Sequence, residues 1–371
     1  MSIAEAVDDV VSVAHAHVAR VDDEGIFPQE SVGALRASGL VGLVLPQDAG
    51  GLGAGPDELV DVVAAVAEAC PSTASILVSH TVAAMMVAVA PPPGLPGLVS
   101  DLASGAVLAT LAMEEPGPGS LFWAPASRAE PEGSRVSIRA RKSRVAGAGH
   151  AEVYVVSTGA VSDEPGEVEF FVVEGGTAGL TVGEPAPGLG LRGTVPAPVD
   201  LVAAIPVGHR LGAASDGFDL ILSTVLPWLN VGGAALSLGI AASATAAAVA
   251  DTTSSSESRA ASATESPLVR SQLARGRIAL SANRAYLHEA AATLASAAGY
   301  SLMDVLAVKA AADDAALEIT DGALRLSSGV GAPAKIVERA FRDARSAAAM
   351  APKADLLYDF YGRNLLGLPM F

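Results

Sequence analysis

The chain has 371 residues, of which 51% are hydrophobic and only 17% are charged, so it can bury a large core divided over two or three domains. The net charge of −17, without any basic cluster, argues against a nucleic-acid partner because phosphates would be repelled. Cys70 is the only cysteine and the six histidines form no HExxH-type pair, so neither a disulfide nor a metal site is predicted.

The first region, residues 1–105, is predicted to be a helical domain. Apolar residues at helical spacing follow Pro28, and the stretches DELVDVVAAVAEAC and TASILVSHTVAAMMVAVA have the composition of two more helices. The acidic, amphipathic N-terminus lacks the basic and apolar regions of a signal peptide. We therefore expect a cytoplasmic protein.

The second region, residues 106–212, is predicted to be a β domain, an antiparallel barrel or sandwich. Its β-branched runs RVSIRARKSRV, AEVYVVSTG, EVEFFVVEGG and APVDLVAAIP are separated by residues that favour turns. The segment GLGLRG, residues 188–193, matches GxGxxG, but TVPAPVDL follows it and no helix can begin there. We therefore interpret this match as unrelated to dinucleotide binding.

The third region, residues 213–371, is predicted to be a four-helix bundle, with helices near 217–251, 267–297, 301–326 and 334–349. The uncharged segment Val231–Ala250 has the length of a membrane span, but it consists mostly of Ala, Gly, Ser and Thr. We predict a buried helix there and no membrane partner. The fold class is therefore mainly α with a central β domain.

Five segments of the sequence resemble, in the same order, segments of the acyl-CoA dehydrogenase superfamily. They are GIFPQESVGALRASGLVGLVLPQDAGGLG, LATLAMEEPGPGS, VEFFVVEGGTAGLTV, GLGLRGTVPAPVDLVAAIPVGHRLG and GVGAPAKIVERAFRDAR. The resemblance implies a homodimer or homotetramer in which FAD lies between the β domain and the bundle. It also implies an acyl thioester substrate, carried by CoA or a carrier protein, from which a glutamate removes the α-proton while the β-hydride passes to the flavin.

The resemblance also assigns positions to the cofactor. The turn MEEPGPGS, residues 113–120, would lie against the flavin ring, because glycines let a backbone approach closely. A segment that packs an aromatic ring and a hydroxyl on the flavin falls at residues 144–146, and a Gln-x-x-Gly-Gly run falls at residues 325–329. The cofactor-binding candidates are Met113, Glu114, Gly119, Ser120, Arg144, Ala146, Arg325, Gly329 and Lys353.

Several of these positions depart from the family's pattern. Glu114 and Lys353 each stand where a threonine contacts FAD, and Arg144 and Ala146 replace the aromatic residue and the hydroxyl. The usual catalytic glutamate position is Ala351. A carboxylate at position 114 would disfavour the electron-rich reduced ring, and ordinary dehydrogenation requires a base other than residue 351.

Four residues are candidates for that base. An acid at Glu114 is unfavourable in a pocket unless it is used or paired. His80 lies on the helix ILVSHTVAAMM, which would line the pocket by resemblance, although a lone histidine on an apolar helix is more often a core residue. Asp355 and Tyr358 follow the lost base, although on a terminal helix such residues are more often capping or surface groups.

Three functions stay open at this point. The first is a flavin-dependent oxidoreductase that acts on an acyl thioester with a non-standard base. The second, motivated by the joint changes described above, is an FAD-independent member of the fold. It would catalyse a dehydration, cyclisation or isomerisation, or serve as a binding partner. The third is a flavin monooxygenase, which removes no α-proton and needs no such base. Fold analogy alone does not choose among them.

Overall fold

The chain begins with a helical block. The computed structural model describes residues 2–117, 123–160, 167–186, 188–214, 216–254, 264–296, 302–328 and 335–369. Ser2 and Glu5 form a capping box at the first helix, and prolines open the third and fourth helices. The fourth helix is apolar on nearly all sides, which suits its burial in the core. The helices are α1 (Ile3–Glu24), α2 (Gln29–Ala37), α3 (Pro56–Ala69), α4 (Pro71–Val89) and α5 (Leu98–Ala103).

The middle block contains two β-sheets that pack face to face. The strands are β1 (Ala109–Ala112), β2 (Ala129–Glu132), β3 (Arg135–Val145), β4 (Val153–Gly159), β5 (Val168–Glu174), β6 (Leu180–Val182) and β7 (Ala197–Pro206). The strand orders are β1-β4-β5 and β2-β3-β7-β6. Ile138 and Leu201 of one sheet share a core with Val156 and Phe171 of the other, so the arrangement is a sandwich.

One strand pair corrects the expectation of an antiparallel domain. β1 runs parallel to β4, whereas the other paired strands are antiparallel. Between β1 and β4 the chain passes through β2 and β3 of the second sheet and then re-enters the first sheet in its original direction. A parallel pair needs such a crossover connection, whereas a short hairpin can join only antiparallel strands.

The last block is a helical bundle built around one long apolar helix. A π-helical turn (Ile221–Val225) precedes that helix. Gly239 on it lies so close to α3 that a Cβ there would meet the Ala67 Cβ at 2.6 Å. The helices are α6 (Gly217–Leu220), α7 (Leu226–Ser254), α8 (Pro267–Leu294), α9 (Leu302–Ser328), α10 (Lys335–Ala348) and α11 (Ala354–Leu365).

The observed architecture confirms the predicted class, mainly α with a central β domain. The predicted limits at residues 105 and 212 fall between α5 and β1 and between β7 and α6, and we keep them as proposed domain limits. Two helical segments, Pro71–Val89 and Gly217–Thr253, are long and apolar enough to cross a membrane. Since 78% and 67% of their apolar windows are buried in the fold, both have the character of core helices.

Candidate functional site

A cleft lies between the β-sandwich and the helices on either side of it. Its volume of about 580 Å³ is within the range of about 300–1,000 Å³ that small-molecule and cofactor pockets occupy. The ends of β1 and β3 form one wall, which we call the sheet wall. The end of α10 and the segment that follows it form the opposite wall, which we call the bundle wall. Ser75, Val78 and Ser79 of α4 and the loop 188–191 close the remaining sides.

The cleft brings together most of the cofactor-binding candidates that the structure describes. Arg325 is separate from them: it is exposed on α9, and its Nε donates a 2.9 Å hydrogen bond to Asp321. Gly119, Ser120 and Gly329 lie outside the described residues. The candidates that line the cleft are Met113, Glu114, Arg144, Ala146 and Lys353, and Ala351 lines it as well.

Glu114 is the candidate base that lines the cleft. It is exposed, and its carbonyl oxygen accepts a 2.8 Å hydrogen bond from Ser143 N, which fixes the end of β1 against β3. The Glu114 carboxylate forms no ion pair with Arg144, although both side chains line the cleft and both lie in the described part of the chain. Among the described residues, the Glu114 carboxyl group therefore borders the cleft without an ion-pair partner.

The expectation that α4 presents His80 to the pocket is wrong. His80 is fully buried, and its Nδ1 accepts a 3.0 Å hydrogen bond from Ala109 N. Burial lowers the pKa of His80 to about 4, so the imidazole is neutral at pH 7. Because successive helical residues point about 100° apart, α4 turns Val78 and Ser79 to the cleft and His80 to the sheet.

Asp355 does not line the cleft either. It is exposed in the first turn of α11, where a carboxylate is favourable near the positive end of the helix dipole. Its neighbour Tyr358 donates a 2.6 Å hydrogen bond to Asp314, and burial raises the pKa of the phenol. Both residues stabilise the terminal helix in this arrangement, and Glu114 is left as the candidate base within the cleft.

A buried lysine supports the sheet wall. Lys142 of β3 is 1% exposed, and its Nζ lies 2.7 Å from Glu115 Oε1. The same ammonium donates to the Ser157 carbonyl at 2.6 Å and to the Met113 carbonyl at 3.4 Å. These contacts tie the end of β1, which carries Met113 into the cleft, to β3 and β4.

Glu115 accepts more hydrogen bonds than this ion pair alone. Its Oε2 accepts from Ala126 N at 2.6 Å and from Ser127 N at 3.0 Å, and the Ser127 hydroxyl donates to Oε1. Burial alone would raise the pKa of Glu115, but Lys142 and the Ser127 donors outweigh it, so the pKa lies below its ordinary value. Glu115 is thus an ionised structural residue that holds Ala126 and Ser127 beside the end of β1.

A second buried lysine supports the bundle wall. Lys309 of α9 is 2% exposed, and its Nζ lies 2.7 Å from Asp313 Oδ2. It also donates to the carbonyls of Pro352 at 3.1 Å and Met350 at 3.5 Å, on either side of Ala351. Ser237 donates to Asp313 Oδ1 at 2.6 Å. Burial raises the pKa of Asp313 despite the neighbouring ammonium.

The loop 188–195 closes the cleft and lies directly on α10. A Cβ on Gly190 would come within 2.3 Å of the Arg342 backbone, so only glycine permits this approach. Gly190 N donates to Ser346 Oγ at 2.8 Å. Leu191 and Val195 have φ values of 49° and 38°, an unfavourable region for residues with a Cβ and most of all for a β-branched one.

Asp343 of α10 binds the backbone of the loop 188–195. Leu191 N donates to Asp343 Oδ1 at 2.6 Å, and the carboxylic acid is 3% exposed. Burial raises the pKa of Asp343 to about 6, and the nearby Asp22 carboxylate contributes in the same direction. The neutral form of this acid is therefore unusually stable in the folded protein.

The sequence analysis missed both buried lysines, although the residue pattern contains a signal for each. Lys142 continues the inward-facing alternation of Val136 and Ile138 in β3, so a period of two places it in the core. Lys309 and Asp313 lie four residues apart within the apolar stripe of α9. A charged residue at a position that the periodicity places in the core is predicted to be buried and paired with an opposite charge.

The family models and relatives that match the chain identify it as an enzyme of the oxidoreductase class. Residues 2–90 match the model of the acyl-CoA dehydrogenase N-terminal domain, and residues 215–364 match that of the C-terminal domain. The chain belongs to the acyl-CoA dehydrogenase family, whose members use FAD.

Comparison with individual proteins supports this assignment. The chain is 29% identical to a probable acyl-CoA dehydrogenase, YngJ, of Bacillus subtilis, over 61% of this chain and 60% of that protein. It is 28% identical to a 3-sulfinopropanoyl-CoA desulfinase of Paraburkholderia xenovorans, over 95% and 91%. The solved butyryl-CoA dehydrogenase of Megasphaera elsdenii has the same fold, with a TM-score of 0.87 over 99% of both chains at 21% identity.

Proposed function

We propose that the protein is an FAD-dependent oxidoreductase that acts on an acyl thioester and uses Glu114 as its base. One observation carries the proposal: the cleft is open, about 580 Å³ in volume, and its lining includes the positions that the resemblance assigns to the flavin ring. A member of the fold that had discarded the cofactor would be expected to fill this space with its own side chains.

The residues of the cleft are compatible with a flavin. On the sheet wall, Met113, Val145 and Ala146 offer a backbone edge and small apolar surfaces to a flat ring. On the bundle wall, Met350 and Ala351 supply a second apolar surface. Bound there, the flavin would supply an acceptor for the hydride of the substrate β-carbon.

Glu114 performs the proton transfer in this proposal. Its ionised carboxylate takes the proton of the substrate α-carbon while the two electrons of the β-hydride leave the substrate, which becomes α,β-unsaturated. The Glu114 carboxylate becomes neutral in the same step, so it no longer carries a negative charge once the hydride has left the substrate. The unfavourable interaction expected of an acid at position 114 is therefore removed as the reaction proceeds.

A non-redox reaction is the second candidate. The position of the usual catalytic glutamate is Ala351, and it lines the cleft. One relative that matches nearly the whole chain is named as a desulfinase and not as a dehydrogenase. A protein of this kind would bind the same acyl thioester and break a bond without net transfer of electrons.

We further propose a homodimer or homotetramer in the cytoplasm, and CoA or a carrier protein as the carrier of the thioester. The family membership of the chain supports these proposals. The burial of both long apolar helices agrees with a cytoplasmic location.

The proposal is tested in two steps. The purified protein is saturated with FAD, freed of excess cofactor, and its blue absorbance is recorded. It is then mixed with butyryl-CoA in deuterium oxide, and exchange at the α-carbon is followed by mass spectrometry. We expect bound flavin in the wild-type protein and in Glu114→Gln, but exchange that is at least about 100-fold slower in the variant, as for loss of a general base.

The matched control is Glu132→Gln, which changes an exposed acid on β2 outside the cleft and should leave both readouts unchanged. A protein that stays colourless in excess FAD would rule out the redox reaction and leave the non-redox candidate. Normal exchange by Glu114→Gln would remove Glu114 from the role of base.

A further inference from the structure

The described residues that line the cleft have a net positive charge, whereas the whole chain has a net negative charge. The chain has 40 acidic and 23 basic residues, not counting histidine. Among the residues lining the cleft, Arg144, Arg345 and Lys353 are basic and only Glu114 is acidic. The cleft is thus a positively charged concavity in a strongly acidic protein.

These three basic side chains form no ion pair within the part of the chain that the structure describes. Neither Arg144 nor Arg345 nor Lys353 forms an ion pair with another residue that the structure describes, whereas the buried Lys142 and Lys309 both do. Arg345 instead lies over the Phe341 ring, with its guanidinium carbon 5.2 Å from the ring centroid.

The basic groups come from both walls of the cleft. Arg144 stands at the end of β3, two residues before Ala146, and Lys353 follows Ala351 by two residues on the bundle wall. An anion received between the walls would lie beside Glu114 and Ala351, where the reacting carbons are expected. Because protein walls with a low dielectric constant focus the electric field in a concavity, the attraction is stronger there than on a flat surface.

We propose that the substrate is an acyl thioester whose acyl group itself carries a carboxylate, and that Arg144, Arg345 and Lys353 bind this carboxylate. The inference rests on the proposed acyl-thioester function of the same cleft. The acyl group is the part of the substrate that must reach the centre of the cleft. The phosphates of CoA are held away from the thioester by the pantetheine arm, and those of FAD are held away from the ring by the ribityl chain.

The experiment compares two ligands that differ only at the end of the acyl chain. Succinyl-pantetheine and butyryl-pantetheine have acyl chains of equal length that end in a carboxylate and a methyl group, and neither carries a phosphate. Their affinities for the FAD-saturated protein are measured by calorimetry, and malonyl- and propionyl-pantetheine form a shorter pair. We expect at least one carboxylated ligand to bind about tenfold more tightly than its neutral partner, which corresponds to about 1.4 kcal/mol.

Variants identify the basic residues responsible. In the FAD-saturated protein, Arg144→Gln and Lys353→Gln should each reduce this preference by at least about threefold. Arg139→Gln is the matched control, because Arg139 is exposed on β3 but does not line the cleft. Raising the salt concentration should weaken the binding of the carboxylated ligand alone.

Three results would overturn the proposal. One is equal binding of the charged and neutral ligands within both pairs. Another is a preference for the carboxylated ligand that both variants retain. The third is a loss of FAD affinity in Arg144→Gln or Lys353→Gln with an unchanged ligand preference, which would assign these residues to the cofactor. Failure of the proposed acyl-thioester function looks different, since the wild-type protein would then bind none of the four thioesters.

Discussion

The two walls of the cleft are each supported by a buried lysine–carboxylate pair, yet the two carboxyl groups respond oppositely to their surroundings. The pKa of Glu115 in the sheet wall lies below its ordinary value, because Lys142 and the Ser127 donors outweigh burial. The pKa of Asp313 in the bundle wall is raised, because burial outweighs Lys309. Glu115 receives two backbone N–H groups and a hydroxyl besides the ammonium, whereas Asp313 receives one hydroxyl.

The difference shows that an ion pair by itself does not determine the charge state of a buried acid. The number of further donors determines whether the loss of hydration is compensated. In the sheet wall, the Glu115 carboxylate accepts hydrogen bonds from the backbone N–H groups of Ala126 and Ser127. The bundle wall uses its ammonium to bind carbonyl groups of the segment 350–352.

Breaking the bundle pair is expected to have the largest effect. Lys309→Met leaves Asp313 buried at 1% exposure without its ammonium and removes the donor to the Pro352 carbonyl. We expect the free energy of unfolding to fall by about 3–5 kcal/mol, as for other buried pairs that lose one member. Urea denaturation at pH 7 measures it. Lys335→Met, at an exposed residue of α10, is the control, and a loss below about 1 kcal/mol would contradict the structural role of Lys309.

Replacing both members of each pair distinguishes the walls. Lys309→Met with Asp313→Leu should recover part of the lost stability, because no unpaired charge stays buried and Ser237 can donate to a carbonyl of its own helix, although the Met350 and Pro352 carbonyls lose their donor. Lys142→Met with Glu115→Leu should remain less stable by about 2 kcal/mol, because Ala126 N and Ser127 N lose their acceptor. Denaturation of the two double variants measures the difference. Equal recovery would mean that the additional donors to Glu115 contribute nothing.

Asp343 is a third buried acid, on the bundle wall, and no lysine partner is found for it among the described residues. Its titration makes the stability of the protein depend on pH. Its folded-state pKa of about 6 exceeds the ordinary value of 3.8. Its contribution to stability is therefore fully present below about pH 4 and is lost as the pH rises through 6. Asp343→Asn keeps an acceptor for Leu191 N and should stabilise the protein at pH 7.5 by on the order of 2 kcal/mol.

The melting temperature at pH 5 and pH 7.5 checks the Asp343 prediction. The gain from Asp343→Asn should shrink on acidification, because the wild-type acid then becomes neutral as well. An equal gain at both pH values would show that the effect is not due to titration of this group. Asp359→Asn, at an exposed acid of α11, is the control and should be insensitive to this change.

The smallest effect is expected where the loop 188–195 is attached to α10. Ser346→Ala removes the acceptor of the Gly190 amide and should lower the free energy of unfolding by about 1 kcal/mol. Ser281→Ala on α8 is the control, because the Ser281 hydroxyl is exposed and bonds only within its own helix. Thermal denaturation of the two variants compares them, and an equal, near-zero loss would show that this contact does not hold the loop.

The architecture was predictable because its signals are local. Alternating residues in β3 and β7 and helical spacing in α3 and α4 are read directly from the sequence. The parallel pairing of β1 with β4 was not predictable in this way, because it depends on where a distant strand returns. Residues 113, 114, 144, 146 and 353 line one cleft, and their role in cofactor binding stays a prediction. His80 does not line this cleft, because periodicity places a helix in the fold without specifying which neighbour faces the cleft.

Lys309 holds the bundle wall by the carbonyl oxygens of Met350 and Pro352 and contacts no side chain of that segment in the described hydrogen bonds. Lys309 therefore holds the backbone of residues 350–352 without a hydrogen bond to the side chain at position 351. The residue at position 351 can therefore change during evolution without loss of the backbone contacts to Lys309. An Ala351→Glu variant would place a carboxylate in the cleft on a segment that is already held in position.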